Sequence, residues 1–205
     1  MWIKDSGAGI GTITYFDTET NSFAALGHGI CDSDTNSLLP LKKGEILPAT
    51  ITSVTKSTNG KPGSLNGYFE NETLGNVLLN NELGVYGKIE GKVENAALYQ
   101  MADKTEIRRD KAKMICTIDE SGPKEYDINI ISVRPFSNSK SLVIEVTDET
   151  LLQKTGGIIQ GMSGSPIIQN GKLVGAVTHV FVNDTTKGYG VMAIDMAENY
   201  SKNVK

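Results

Sequence analysis

Gly161-Met162-Ser163-Gly164-Ser165-Pro166-Ile167-Ile168-Gln169-Asn170-Gly171-Lys172-Leu173-Val174-Gly175-Ala176 is the stretch on which the fold turns. A serine between Gly161 and Gly164 belongs to a tight turn, because glycines accept backbone dihedrals that other residues resist. Pro166 then opens a short β-branched run, Asn170-Gly171 follows, and a second apolar run returns. Asn-Gly suits a type I′ turn, whose twist matches the two strands it joins. The serine therefore introduces a β-hairpin and not a helix.

Outward from this hairpin the pattern repeats. Short apolar segments bounded by Gly, Asn, Asp or Ser read as strands at 9–17, 22–28, 46–56, 65–70, 85–93, 111–119, 125–133, 141–148, 165–169, 172–182 and 187–195. Helix is scarce: residues 147–155 carry a Thr or Asp cap for a short turn of helix, and 193–203 read as a terminal helix with an imperfect apolar face. The Asn- and Gly-rich run 71–87 reads as holding an inter-strand loop, with no recognition role for its asparagines. These segments predict an all-β fold of two six-stranded antiparallel β-barrels. The lobes would cover roughly 1–110 and 111–205, with the site in the cleft between them.

Composition narrows the function. With 205 residues the chain can bury a full core, and 39% hydrophobic and 21% charged residues are ordinary for a globular protein. The net charge is −4 with no basic cluster, which argues against nucleic acid and anionic membrane as partners. No apolar run approaches the roughly 20 residues of a membrane helix, and the start of the chain lacks the pattern of a signal peptide. Cys31 and Cys116 are too few for a disulfide scaffold and read as reduced thiols. His28 and Cys31 are spaced H-x-x-C without a second ligand pair, so no metal and no organic cofactor is expected.

The chemistry gathers at Ser163. In a Gly-x-Ser turn the amides of Gly161 and Ser163 can point into one small space, an oxyanion hole for a tetrahedral intermediate. A serine hydroxyl needs a positioned base, and neutral imidazole suits that task near pH 7. The two histidines are His28, between Gly27 and Gly29, and His179, on a strand-like run. His28 precedes the serine by 135 positions (28 to 163), which places one residue on each lobe. An α/β-hydrolase elbow is excluded, since it needs G-x-S-x-G feeding a helix and Ser165 stands in the fifth place. Ser165 ranks below Ser163 as nucleophile. Lys172, open in principle to a Ser–Lys dyad, reads as a solvated hairpin lysine.

Gly-Met-Ser-Gly-Ser-Pro resembles the G-D-S-G-G-P motif of chymotrypsin-like proteases, Ala25-Leu26-Gly27-His28-Gly29 their histidine motif, and 188–193 the strand closing their specificity pocket. More closely, residues 8–17, 23–32, 155–181 and 188–197 together resemble the SpoIVB-type sporulation serine peptidases of endospore-forming bacteria. That resemblance implies a serine endopeptidase acting through an acyl-enzyme, with His28 and Ser163 catalytic and Asp148 as the acid. Asp148 lies 15 positions before the serine (148 to 163), whereas ordinary relatives place the acid nearer the histidine. Asp103, Asp110, Asp119 and Asp127 therefore stay open. By the same resemblance His179 and Gly157 fall where relatives contact substrate, Gly157 without a charge to select Lys or Arg. Met162 replaces the aspartate that digestive enzymes use for activation.

The resemblance further implies a membrane anchor and PDZ domain upstream, both absent from this chain, so that any membrane attachment would be through that anchor alone. It implies secretion across the forespore membrane into the space between forespore and mother cell. The implied protein substrates there are a regulator of an intramembrane protease, whose cleavage activates a late mother-cell sigma factor, and the peptidase itself. Two readings stand against it: a catalytically silent protease-like module that only holds a peptide, and an esterase of another fold.

Overall fold

The computed structural model describes residues 8–204 except 33, 59, 92, 94, 95, 136 and 138. The first seven residues and Lys92, inside the expected strand 85–93, thus lie outside the described residues. Seven strands form the N-terminal half: β1 (Ile13–Phe16), β2 (Ser22–Ala25), β3 (Gly44–Ile46), β4 (Ala49–Thr55), β5 (Ser64–Phe69), β6 (Gly75–Asn81) and β7 (Gly84–Ile89). The second half holds β8 (Gln100–Met101), β9 (Lys111–Thr117), β10 (Pro123–Val133), β11 (Leu142–Val146), α1 (Glu149–Thr155), β12 (Pro166–Gln169), β13 (Lys172–Phe181), β14 (Asp184–Met192) and α2 (Ala193–Asn203).

β12-β9-β10-β11-β14-β13 run antiparallel in that order, and pairing of β12 with β13 closes them into a six-stranded barrel; β8 adds in parallel beside β13. Period-two alternation builds its wall: Ala112, Met114 and Cys116 of β9 point inward between exposed Lys111 and Lys113, as do Tyr126, Ile128 and Ile130 of β10. Each fully buried side chain of this size stabilises by about 1.5–3 kcal/mol. The β12–β13 hairpin turns through Asn170 and Gly171, both at positive φ (52° and 73°), as a type I′ turn requires.

The N-terminal half builds its layer differently from a second six-stranded barrel. A five-stranded sheet, β1-β2-β7-β6-β3, stands beside a separate two-stranded ribbon, β4-β5. The segment read as an inter-strand loop holds β6, which lies between β7 and β3. Its asparagines are not idle: the Asn80 side chain exchanges hydrogen bonds with the backbone of Ile30 (2.8 and 2.9 Å) and donates to the Leu39 carbonyl (3.0 Å).

Two features join the halves. β13 is buried without alternation from Leu173 to Thr178; one face fills the barrel while Ala176 packs with Val191, Met196 and, from the first half, Ala24 and Tyr86. α2 lies over this seam, stacking Tyr200 on Tyr86 (ring centroids 5.9 Å) and accepting at Asn199 a hydrogen bond from Asn81 (2.6 Å). Cys31 is exposed and Cys116 buried, and both are free thiols. Among the described residues no helix is long and apolar enough to cross a membrane.

Candidate active site

The turn that carries Ser163 begins where α1 stops. Gly156 ends the helix in the left-handed region (φ 74°), returning its N–H to the Leu152 carbonyl. Gly157 follows at φ 122°, and a Cβ there would stand 2.1 Å from the Thr185 carbonyl oxygen. It is thus buried against β14 as a packing glycine, and its open space is already taken by backbone. Ile158, Ile159 and Met162 sink into the barrel core, which leaves Gln160, Gly161 and Ser163 to form the outer edge of the turn.

Within that turn most amides are spoken for. Met162 N–H donates to Ile159 (3.2 Å), Gly164 N–H to Val177 (2.8 Å) and Ser165 N–H to Met162 (3.0 Å). The amides of Gly161 and Ser163 find no acceptor among the described residues, and both residues are half-exposed. This is the alternation an oxyanion hole requires. Ser165 is wholly buried with an unpartnered Oγ, so it cannot meet a substrate.

The N-terminal half reaches this turn through its backbone. Thr12 N–H donates to the Ser163 carbonyl (2.8 Å), Thr14 Oγ1 to the Gly164 carbonyl (2.9 Å), and Leu26 N–H to Thr12 (3.1 Å). Gly164 has no room for a side chain, since a Cβ would lie 2.0 Å from the Thr12 carbonyl oxygen. Leu26 and Gly27 both take positive φ (68° and 69°). That sharp bend ends β2 and delivers His28 beside His179, with ring centroids 4.7 Å apart and a 40° tilt.

His28 Nδ1 lies 2.9 Å from the Gly29 carbonyl oxygen. A carbonyl only accepts, so Nδ1 carries the proton and Nε2 keeps the lone pair a base needs. Ser163 Oγ donates to the Thr178 carbonyl (2.9 Å), one residue before His179. His179 is exposed at the surface, yet desolvation of its ring by its neighbours first, then the charges of His28 and Lys140, push its imidazole down to about 4. It is neutral at pH 7.

The proposed acids sit elsewhere. Asp148 caps α1, accepting from Leu151 N–H (2.9 Å) and from Asp127 N–H (3.3 Å). Asp103 caps the 3-10 turn Lys104–Glu106, Asp110 accepts from Lys111 N–H, Asp119 pairs with Lys154 and Asp127 with Lys113. Among the described residues none of them bonds to His28. Lys172 pairs with Glu106. No group of three or more His, Cys, Asp or Glu side chains is arranged to hold a metal among the described residues. Sequence reasoning missed the Gly29 carbonyl, the docking of Thr12 and Thr14 on the Ser163 turn (though it read their strand) and the Asn80 clamp. Only Asn80 had a local signal, an Asn-rich run between apolar residues, and it pointed to a loop.

The family model described as SpoIVB peptidase S55 matches residues 1–197. No curated protein sequence matches the chain. Among solved structures, the Rv3671c protease of M. tuberculosis in its active form is similar at a TM-score of 0.46 and 13% identity, over 75% of this chain and 71% of that one. Its inactive form is similar at 0.45 and 12%, over 77% and 83%.

Proposed function

The chain belongs to the SpoIVB peptidase S55 family and is a serine peptidase; we propose that it is an endopeptidase working through an acyl-enzyme on Ser163. His28 Nε2 takes the hydroxyl proton as Oγ attacks the scissile carbonyl, then returns it to the leaving amine. The developing oxyanion lies against the amides of Gly161 and Ser163. The observation that carries this reading is that these two amides lack partners at the turn the His28 segment docks against. Asp148 acts at one remove. It caps the helix whose C-terminal end sets residues 156–163, while the Gly29 carbonyl holds the His28 tautomer. His179 stands on the substrate side of the site, whereas Gly157 packs against the Thr185 carbonyl and supports the turn from behind.

The family supports a finer proposal for the substrate: a regulator of an intramembrane protease, and the chain itself, met in the space between forespore and mother cell. Its test is incubation of the intact chain and of Ser163→Ala with such a regulator, expecting cleavage by the intact chain alone. For the site, fluorophosphonate labelling read by intact mass should be lost in Ser163→Ala and slowed at least about 100-fold in His28→Ala. The Ser163 hydroxyl proton, held by the Thr178 carbonyl, is the observation behind the second reading, a silent peptide-holding module. No labelling of the intact chain would establish that module instead.

A further inference from the structure

The contact between the two histidines has a consequence that peptide hydrolysis does not use. Of the four ring nitrogens of His28 and His179, one is engaged, His28 Nδ1 with the Gly29 carbonyl. The other three have no hydrogen-bond partner among the described residues. Both residues keep solvent access, His28 half-buried and His179 exposed. They come from opposite halves of the molecule and are held in place by backbone, His28 by the Leu26–Gly27 bend and His179 by β13.

Their spacing is compatible with one shared ion. A Zn–N bond is about 2.0–2.1 Å, and the ring centroid lies about 1.1 Å beyond the nitrogen, so two imidazoles on one ion have centroids roughly 4.5–5.2 Å apart at N–Zn–N angles of about 90–110°. The observed 4.7 Å falls inside that window. Imidazole is the commonest metal ligand in its neutral form.

We propose that His28 and His179 together bind a divalent transition-metal ion of the zinc or copper class, and that the bound ion inhibits the peptidase. The ion takes the His28 Nε2 lone pair, the same pair that would accept the Ser163 proton; water fills its remaining positions. With two protein ligands the site is reversible and regulatory, in keeping with the lack of any three-residue metal cluster among the described residues. The inhibition rests on the reading of His28 as base, whereas the binding does not.

The test separates the two. Exposed Cys31, whose Sγ lies 4.0 Å from the Gly29 carbonyl oxygen, would itself bind zinc, so every protein carries Cys31→Ser. Zinc chloride is titrated calorimetrically into the chain bearing Ser163→Ala as well, where no catalysis is involved. One equivalent should bind, and binding should vanish in His179→Phe and in His179→Gln with circular dichroism unchanged. In the chain with Ser163 intact, saturating zinc should slow fluorophosphonate labelling about 100-fold, the contribution of a general base, and EDTA should restore it. In the His179 variants the ratio of rates with and without zinc should be near one. No binding, or binding that survives both substitutions, overturns the site. Binding without slowing overturns the inhibition. Zinc-free chain that does not label would refute the base, leaving calorimetry to decide the site.

Discussion

Replacing Asp148 by asparagine distinguishes a helix cap from a catalytic acid, because the two roles predict effects of different size on different readouts. In the structure Oδ1 accepts from Leu151 N–H at 2.9 Å and Oδ2 from Asp127 N–H at 3.3 Å. Losing an N-cap costs about 1 kcal/mol, and the second, charge-assisted bond carries Asp148→Ala towards about 2 kcal/mol. For a chain of this length that is a fall in Tm of roughly 4–8 °C. Asp148→Asn keeps one amide oxygen for Leu151 and should lose about half as much. The fluorophosphonate rate constant should change less than about threefold in Asp148→Asn. A carboxylate that oriented His28 would behave otherwise, since the matching substitution in a Ser-His-Asp triad costs about 10⁴ in rate by imposing the wrong tautomer. Thermal melts and labelling time courses on one preparation settle the matter. An Asp148→Asn protein with unchanged Tm and labelling slowed a thousandfold or more would refute the capping assignment.

Met162, where digestive relatives carry aspartate, is wholly buried in the barrel core; Met162→Asp should destabilise by about 3–5 kcal/mol as an unpaired buried charge, read as a lowered urea midpoint. Gly157→Ala should lower kcat/KM on every peptide by a common factor, because its Cβ strikes the Thr185 carbonyl; a changed ratio between peptides would show a pocket residue instead. Iodoacetamide at pH 8 should modify Cys31 alone in the native chain and both thiols in denaturant, since burial, then the Asp148 charge, pushes the Cys116 thiol up to about 12. The unfolded thiol ionises near 9.0 and the folded one does not, so this group's contribution to stability is complete below pH 9 and declines as pH rises towards 12.

Much of the barrel was legible because its signals are local. The Asn170-Gly171 turn, the alternation in β9 and the helix over 193–203 each follow from neighbours in sequence, and the structure reproduces them. β6 escaped because Asn76, Asn80 and Asn81 carry low strand propensity; its place comes from β7 and β3 pairing on either side, a non-local cause. The strands of the two-stranded ribbon were legible, at 46–56 and 65–70; that they pair only with each other was not, since that too is non-local. At the site, Ser163 and its flanking glycines were readable from turn chemistry, and Asp148 carried a cap signal of its own. The contact of His28 with His179 was not readable, since it spans the two halves and depends on two successive positive-φ residues, one of them Leu26.

Two departures from a standard triad remain, and their magnitudes decide what they mean. Ser163 Oγ spends its proton on the Thr178 carbonyl, a neutral bond with a net value of about 1 kcal/mol. Turning the hydroxyl towards His28 therefore costs less than tenfold in rate, too little to silence an enzyme. The Gly29 carbonyl stands where a carboxylate would orient the imidazole. It fixes the tautomer as a carboxylate does, so the large penalty of a misplaced proton is avoided. What it lacks is the full negative charge that stabilises the imidazolium in the transition state. The site should then be a slower catalyst than a triad enzyme but a competent one, with the substrate's carbonyl drawn to the amides of Gly161 and Ser163. A rate set partly by a weakly supported base is also a rate that a ligand on that base can easily govern, and His179 stands beside it.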